Sequence, residues 1–269
     1  MKKETTPFEK IVTENLTWTP SKKCPPVLEN ISEIFEKGEF YGILGPNGAG
    51  KTSLIRQLLY FIEETEGKVY YGETDVHDIS RKNIAKNVAF LSQNIDSSLD
   101  FPVKEIVAMG REPYRRIFSS LTKEDEKIIE DALKYANCTN LADRPFNLLS
   151  GGERQRVMIA RTIAQDTPWI ILDEPLSNLD VKNQTRILSS FNKFRKDRNR
   201  TVAAVLHDLN IASFFCSRII IMKNGKVVAS GKTEEVMTPQ ILEEVYEVPF
   251  YFIERENQRP VIMQKYDRE

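Results

Sequence analysis

Gly45-Pro46-Asn47-Gly48-Ala49-Gly50-Lys51-Thr52 fits G-x-x-x-x-G-K-[ST], the pattern of a phosphate-binding loop. The flanks agree with it. Phe40-Tyr41-Gly42-Ile43-Leu44 is a short apolar run that reads as a buried strand, and Ser53 to Ile62 carries apolar residues at helical spacing. A strand feeding a glycine loop that opens a helix aims backbone N–H groups and the positive end of the helix dipole at one point. Lys51 adds a point charge for the β- and γ-phosphates, and the Thr52 hydroxyl is placed to ligate Mg²⁺.

Working outward, Ile11 to Trp18 and Val27 to Phe35 read as strands separated by a proline-bearing loop. Gly67 to Gly72 and Asn87 to Leu91 are further strand-like runs. From about Asp96 to Asn147 the character becomes helical: Val103 to Gly110 and Lys123 to Tyr135 are helix candidates, the latter capped by Thr122 with Asp125 three residues on. Strands resume at Trp169 to Leu172, Val202 to Leu206 and Ile219 to Met222 with helical patterns between them, the alternation of an α/β core with a parallel sheet. Lys223-Asn224-Gly225-Lys226 signals a hairpin, Thr233 to Val245 a short helix, and Tyr251 to Ile253 with Val261 to Met263 terminal strands.

The bulk numbers exclude several classes. With 38 Lys and Arg against 39 Asp and Glu, the net charge of -1 gives no pull toward nucleic acid or anionic lipid. Three cysteines (Cys24, Cys138, Cys216), odd in number and far apart, argue against a disulfide framework and a zinc site, and fit a reducing compartment. No run approaches the ~18 apolar residues of a membrane span, and the first 16 residues lack the apolar core of a secretory signal. The charge run Arg195-Lys196-Asp197-Arg198 reads as a solvated helix end, and His77 takes no role.

Two more constellations carry chemistry. Trp169-Ile170-Ile171-Leu172-Asp173-Glu174-Pro175 is a buried strand ending in two acids, and in a parallel sheet ligands gather at the carboxyl ends of strands. In P-loop NTPases an Asp so placed helps hold Mg²⁺, and a second carboxylate can orient or deprotonate an attacking water. Leu149-Ser150-Gly151-Gly152-Glu153-Arg154-Gln155 runs into the helix Arg156 to Ala164, with Ser150, Gly151 and Gly152 at its cap and first turn. That makes a second helix-terminus anion site.

Together, GPNGAGKT, Gln93, LSGGERQ, IILDEP, Ser177-Asn178-Leu179-Asp180 and His207 resemble the nucleotide-binding subunit of an ABC transporter, in the family's order and spacing over essentially the whole chain. The resemblance implies a P-loop NTPase core with a mainly parallel sheet, an antiparallel β subdomain and an α-helical insertion at about 96–165. The ABC ATPase domain would span 8–248, and 249–269 would be a tail packing on the core. By similarity Gly45, Pro46, Asn47, Gly48, Ala49, Gly50, Lys51, Thr52 and Ser53 form the Walker A loop for ATP. Asp173, Thr52 and Gln93 become the Mg²⁺ residues and Glu174 the catalytic base. Gln93 also contacts the attacking water, His207 is the switch histidine, and Asp180 belongs to the D-loop. Ser150, Gly151 and Gly152 would close on the ATP of a second copy in a head-to-tail dimer.

The family stacks adenine on an aromatic residue where this chain has Pro20; Trp18, on the same side of an extended chain, is the candidate substitute. One motif set without a membrane span implies a separate permease, fed indirectly by a substrate-binding protein, with this subunit peripheral on the cytoplasmic face. Phe101-Pro102-Val103-Lys104-Glu105-Ile106-Val107-Ala108-Met109-Gly110-Arg111-Glu112-Pro113-Tyr114 is similar to ATPases of iron-siderophore, haem and cobalamin importers, as are AQDTPWIILDEPLSNLD and HDLN. Arg111, Arg115 and Arg116 read either as a solvated helix end or as part of the region where a permease helix docks. A zinc or manganese importer ATPase and a non-transport ABC ATPase are the alternatives. Ribosome-acting relatives carry two such domains, chromosome-maintenance relatives a long coiled coil, and excision nucleases paired zinc cysteines, none of which this sequence has.

Overall fold

The structure, a computed structural model, describes residues 8–21, 23–92, 99–116, 119–177, 179–256 and 258–265. It divides into two compact units, the first comprising Phe8–Asp78 with Ala203–Glu269 and the second Ile79–Val202. The first unit begins with β1 (Lys10–Trp18), β2 (Leu28–Glu36), β3 (Phe40–Leu44), α1 (Lys51–Leu58), β4 (Glu66–Tyr71) and β5 (Thr74–Asp75). The second holds α2 (Arg81–Asn87), β6 (Val88–Leu91), α3 (Val103–Ala108), α4 (Lys123–Tyr135), α5 (Gly151–Ala164), β7 (Trp169–Leu172) and α6 (Val181–Arg198). The border falls within β8 (Thr201–Val205). The first unit then resumes with α7 (Leu209–Phe215), β9 (Arg218–Lys223), β10 (Lys226–Lys232), α8 (Thr233–Val236), α9 (Pro239–Tyr246), β11 (Phe250–Arg255) and β12 (Gln258–Gln264).

In the first unit, β2-β1-β4-β5 make an antiparallel sheet. Ile11, Thr13 and Leu16 of β1 and Leu28, Ile31 and Phe35 of β2 are buried. The strict alternation breaks after Thr13, where the register shifts and Asn15 takes φ 48; such a bulge keeps Leu16 on the inner face. β3 is buried at all five positions and runs parallel to β9, from Tyr41 opposite Arg218 to Leu44 opposite Ile221. A continuous apolar run is the pattern of a strand covered on both faces. β9 and β10 join through Asn224 and Gly225 at φ 49 and 77, the two positive φ values of a tight hairpin turn.

The single helix expected over Thr233–Val245 is two. α8 stops at Val236, and α9 restarts with Pro239 in its first turn and the Thr238 hydroxyl accepting the Ile241 N–H at 3.4 Å. Proline has no N–H with which to continue a helix but fits the first turn of a new one. The terminal strands form a hairpin, with Phe252 opposite Ile262 and Ile253 opposite Val261.

In the second unit β6 and β7 pair in parallel, Val88 opposite Trp169 through Leu91 opposite Leu172. α4 begins with the expected capping box between Thr122 and Asp125. α3 ends two residues early, at Ala108, and passes into a 3₁₀ turn over Met109–Tyr114. There a Cβ on Gly110 would collide with the Arg161 carbonyl of α5, so only glycine lets the two backbones approach.

Arg111 is not a solvated helix end; it is 7% exposed. Its Nε donates to Asp125 at 2.8 Å, its Nη1 to the Ala164 carbonyl at 3.0 Å, and its guanidinium lies 4.1 Å over the Tyr114 ring. Burial works against charge on Asp125, but the Thr122 hydroxyl, the Arg111 guanidinium and the Thr122 N–H outweigh it and hold the carboxyl below its usual range. The run Arg195 to Arg198 is the last turn of α6, closed by Asn199 at φ 49. It is the solvated helix end expected, with Lys196, Asp197 and Arg198 exposed; at the surface Asp197 accepts the Tyr135 hydroxyl at 2.9 Å and Arg198 lies 3.4 Å from Asp131.

Candidate functional site

The loop of the first unit leaves β3 at Gly45, whose φ of 143 and contact with Met222 leave no space for a side chain: a Cβ would strike the Met222 carbonyl oxygen. Gly48, at φ 80, has nothing within 4 Å of a Cβ position. One glycine seats the loop on the sheet, and the other keeps its backbone open to close approach by a ligand. The hairpin turn braces the far side, with Gly225 N–H donating to the Ala49 carbonyl at 3.2 Å and Gly225 O accepting from Glu29 at 2.9 Å. Gly45→Ala is expected to weaken ATP binding, read by titration calorimetry, and to lower the unfolding midpoint, because a side chain there stores about 1–3 kcal/mol of backbone strain before the clash is counted.

Lys51, 6% exposed, bends its ammonium into the loop and donates to the Gly45 and Pro46 carbonyls at 2.7 and 2.9 Å. Thr52 and Ser53 follow in the first turn of α1, whose N–H groups have no acceptor within the helix itself. A cation inside a ring of backbone, at a helix N-terminus with an open glycine beside it, fits a chain of phosphates.

His207 stands close by. Leu206, the residue before it, donates its N–H to Ile43 at 3.2 Å, and Ile43 lies two residues before the loop. Trp18 is half-buried at the end of β1, opposite Leu28, whose side chain packs against Gly50. α9 contributes a residue that periodicity did not flag: Tyr246 faces the Gly45 backbone, and burial pushes its phenol up to about 12.

In the second unit β7 delivers Asp173, 7% exposed, with its N–H on the Leu91 carbonyl at 2.9 Å. Glu174 takes φ 49, the left-handed region, without being glycine. Two donors from Ser177 hold its carbonyl, the N–H at 3.2 Å and the hydroxyl at 3.1 Å, and Gln155 of α5 donates to the next carbonyl, Pro175, at 3.0 Å. Strain kept in place by surrounding bonds is a mark of functional positions.

Ser150 caps α5 in a reciprocal box with Glu153: its N–H donates to Glu153 at 2.9 Å and its hydroxyl at 2.7 Å, which holds the Glu153 carboxyl below its usual range. Gly152 packs on Asn183, which Asp180 holds by its N–H at 2.8 Å and its amide at 3.0 Å. Gly151 opens on empty space. Gly152 is therefore the more closely covered of the two, by a side-chain amide, and Gly151 the more open. Gln93 and Asn178 lie outside the described residues.

In the first unit Thr52 carries a hydroxyl and in the second Asp173 carries a carboxylate, each a hard oxygen donor of the kind Mg²⁺ takes. Among the described residues no three His, Cys, Asp or Glu gather into a metal cage. Mg²⁺ is usually held by one or two protein oxygens completed by phosphate oxygens, so a full protein cage is not required of such a site. No helix among the described residues is long and apolar enough to cross a membrane.

An α/β core with this loop and an acidic strand end defines a P-loop nucleotide-binding ATPase. The ABC transporter family profile matches residues 28–177, more than half of the chain, and the chain belongs to that family. The ferric enterobactin transport ATP-binding protein of Escherichia coli is 37% identical over 82% of this chain and 81% of its own length. The iron(3+)-hydroxamate import ATP-binding protein of Bacillus subtilis is 37% identical, covering 82% of each. The petrobactin import ATP-binding protein of Bacillus subtilis is 36% identical over 87% of this chain and 92% of its own. Among solved structures, an inward-facing ABC transporter assigned to the metal-chelate type superposes with a TM-score of 0.82 at 27% identity, over 96% of this chain and 98% of that one. A dimeric ATP-binding cassette in a post-hydrolysis state with ADP and Pi gives 0.71 at 29%, over 83% and 98%. The α/β class expected from the sequence is the one found, and the chain is an ATPase of import type.

Proposed function

We propose that this chain powers uptake of an iron chelate, a siderophore or haem, through a separate permease, from the cytoplasmic face of the membrane. The observation that carries the cargo class is the identity of 36–37% to three ATP-binding subunits named for ferric enterobactin, hydroxamate and petrobactin import, over four-fifths or more of the chain. Deleting the chain should abolish uptake of radiolabelled iron-siderophore complex while zinc and manganese uptake continue. Loss of zinc or manganese uptake instead would move the assignment to that importer class.

The chemistry is transfer of the ATP γ-phosphoryl group to water, catalysed mostly by position and charge. The Gly45–Thr52 loop and Lys51 hold the β- and γ-phosphates, with Ser53 beside them. Thr52, Asp173 and Gln93 would hold Mg²⁺, which when bound would neutralise charge on the phosphate oxygens. Glu174 orients the water and accepts its proton as the new P–O bond forms and the bond to the β-phosphate oxygen breaks. Gln93 contacts that water, and His207 holds the γ-phosphate and Glu174 in register. Ser150, Gly151 and Gly152 of a second copy close over the same γ-phosphate, so two copies enclose two ATP molecules head to tail. The solved cassette dimer with ADP and Pi supports that reading. A substrate-binding protein delivers cargo to the permease.

Trp18 stacks on the adenine in place of the missing aromatic at Pro20. Trp18→Ala should weaken ATP binding by about two- to tenfold, the range of one aromatic stack, with kcat unchanged. Unaltered affinity by calorimetry would return Trp18 to the core of β1.

A further inference from the structure

We propose that the C-terminal hairpin, β11 with β12, is a positioning element for His207, acting through Asn210 and Arg259. The inference rests on the role given above to His207 and extends it to a part of the chain that carries no nucleotide motif.

His207 is joined to the fold on both sides by short pieces of backbone. Upstream, Leu206 is bonded to Ile43. Downstream, Asp208 caps α7 by accepting the Ile211 N–H at 2.8 Å, so the placing of α7 sets the exit from His207. α7 has only seven residues. A helix of two turns has no appreciable stability of its own, so its position must come from what it packs on.

β12 supplies that at both ends of the helix. Near its start, the Asn210 amide completes both bonds of a strand pair with one residue: Oδ1 accepts the Ile262 N–H at 2.8 Å and Nδ2 donates to the Ile262 carbonyl at 3.0 Å. Ile262 is itself 5% exposed, which anchors β12. At the other end, Arg259 Nη1 donates to the Ser213 carbonyl and, at 2.7 Å, to the Cys216 carbonyl. The last carbonyls of a helix have no partner within it, and a cation there suits the negative end of the dipole. Glu234, 3.8 Å from Arg259, steadies the guanidinium. α7 is thereby held at both ends by one strand some fifty residues downstream, and the amide that does half of this is three residues past the histidine.

An element that only stabilises the fold and one that positions His207 differ in what they do to turnover. ATP binding to the Gly45–Thr52 loop does not run through α7, so kcat and the ATP KM should separate. In the full chain, together with the permease that co-purifies with it, Asn210→Ala and Arg259→Ala should each lower kcat about tenfold with the KM for Mg-ATP within about twofold of the parent. Arg259→Lys, which keeps a donor and the charge, should recover most of the loss. Unchanged kcat in both alanine variants would overturn the proposal. So would kcat and KM worsening together with a fallen unfolding midpoint, the result of damage to the fold alone. His207→Ala is the separate control. If it abolishes turnover while Asn210→Ala and Arg259→Ala do nothing, only the hairpin's role fails; if it leaves turnover intact, the reading of His207 fails, and this proposal with it.

Discussion

Glu174→Gln is expected to bind ATP as the parent chain does and to turn it over about a hundred- to ten-thousandfold more slowly, the usual worth of a positioned general base. The substitution keeps the shape while removing the negative charge and, with it, the ability to take a proton. The backbone around it is held by hydrogen bonds to its carbonyl groups. Its φ of 49 is held by the two Ser177 donors on its own carbonyl and by Gln155 on the next, so an isosteric side chain should leave the local fold unchanged. Phosphate release under saturating Mg-ATP, set beside equilibrium ATP binding, separates the two effects. Lys51→Ala is the contrasting variant: it removes the cation from the loop and should lose binding first. A Glu174→Gln chain that hydrolyses at the parental rate would take the base assignment away from this residue.

The second large effect is on stability. Arg111→Met or Asp125→Leu should destabilise the chain by about 3–5 kcal/mol, because each leaves a buried charge without its partner. Arg111 and Asp125 meet at 2.8 Å with side chains 8% and 10% exposed. Asp125 also closes the cap of α4, and Arg111 also serves the last carbonyls of α5, so neither loss can be made good locally. Urea unfolding of the full chain measures it, and surface-sized effects below about 0.5 kcal/mol would contradict it. The pH dependence has a definite sign. A carboxyl held below its usual range in the folded state contributes stability that is complete above the ordinary carboxylate pKa and is lost as pH falls through the folded value. The parent should therefore lose more stability on acidification than Asp125→Asn does.

What the sequence announced and what it hid divide along physical lines. The glycine loop between strand and helix, the acidic strand end, the caps at Thr122 and Ser150 and the Asn224-Gly225 turn are local, each written in a handful of consecutive residues, and as local structures they are found where expected; the Glu153 half of the Ser150 box is an addition to the expected cap. The break between α8 and α9 was equally local, carried by Thr238-Pro239, yet the helical period on either side masked it. Arg111 could not be read locally. Its surroundings come from Asp125, Ala164 and Tyr114, and a lone arginine after a helix looks the same whether buried or solvated. Asn210 and Arg259 were hidden for the same reason, since their pairing spans the length of the C-terminal segment. The division between a glycine that seats the backbone and one left open, Gly45 against Gly48, is also a tertiary property that no motif states.

The tethered ammonium of Lys51 bears on how fast and how tightly nucleotide is caught. With two carbonyls already in contact, it has shed part of its water and given up most of the freedom of its four-carbon stem before any anion arrives. An incoming phosphate then meets a cation that needs little further dehydration and no search among rotamers, so more of the attraction survives as affinity.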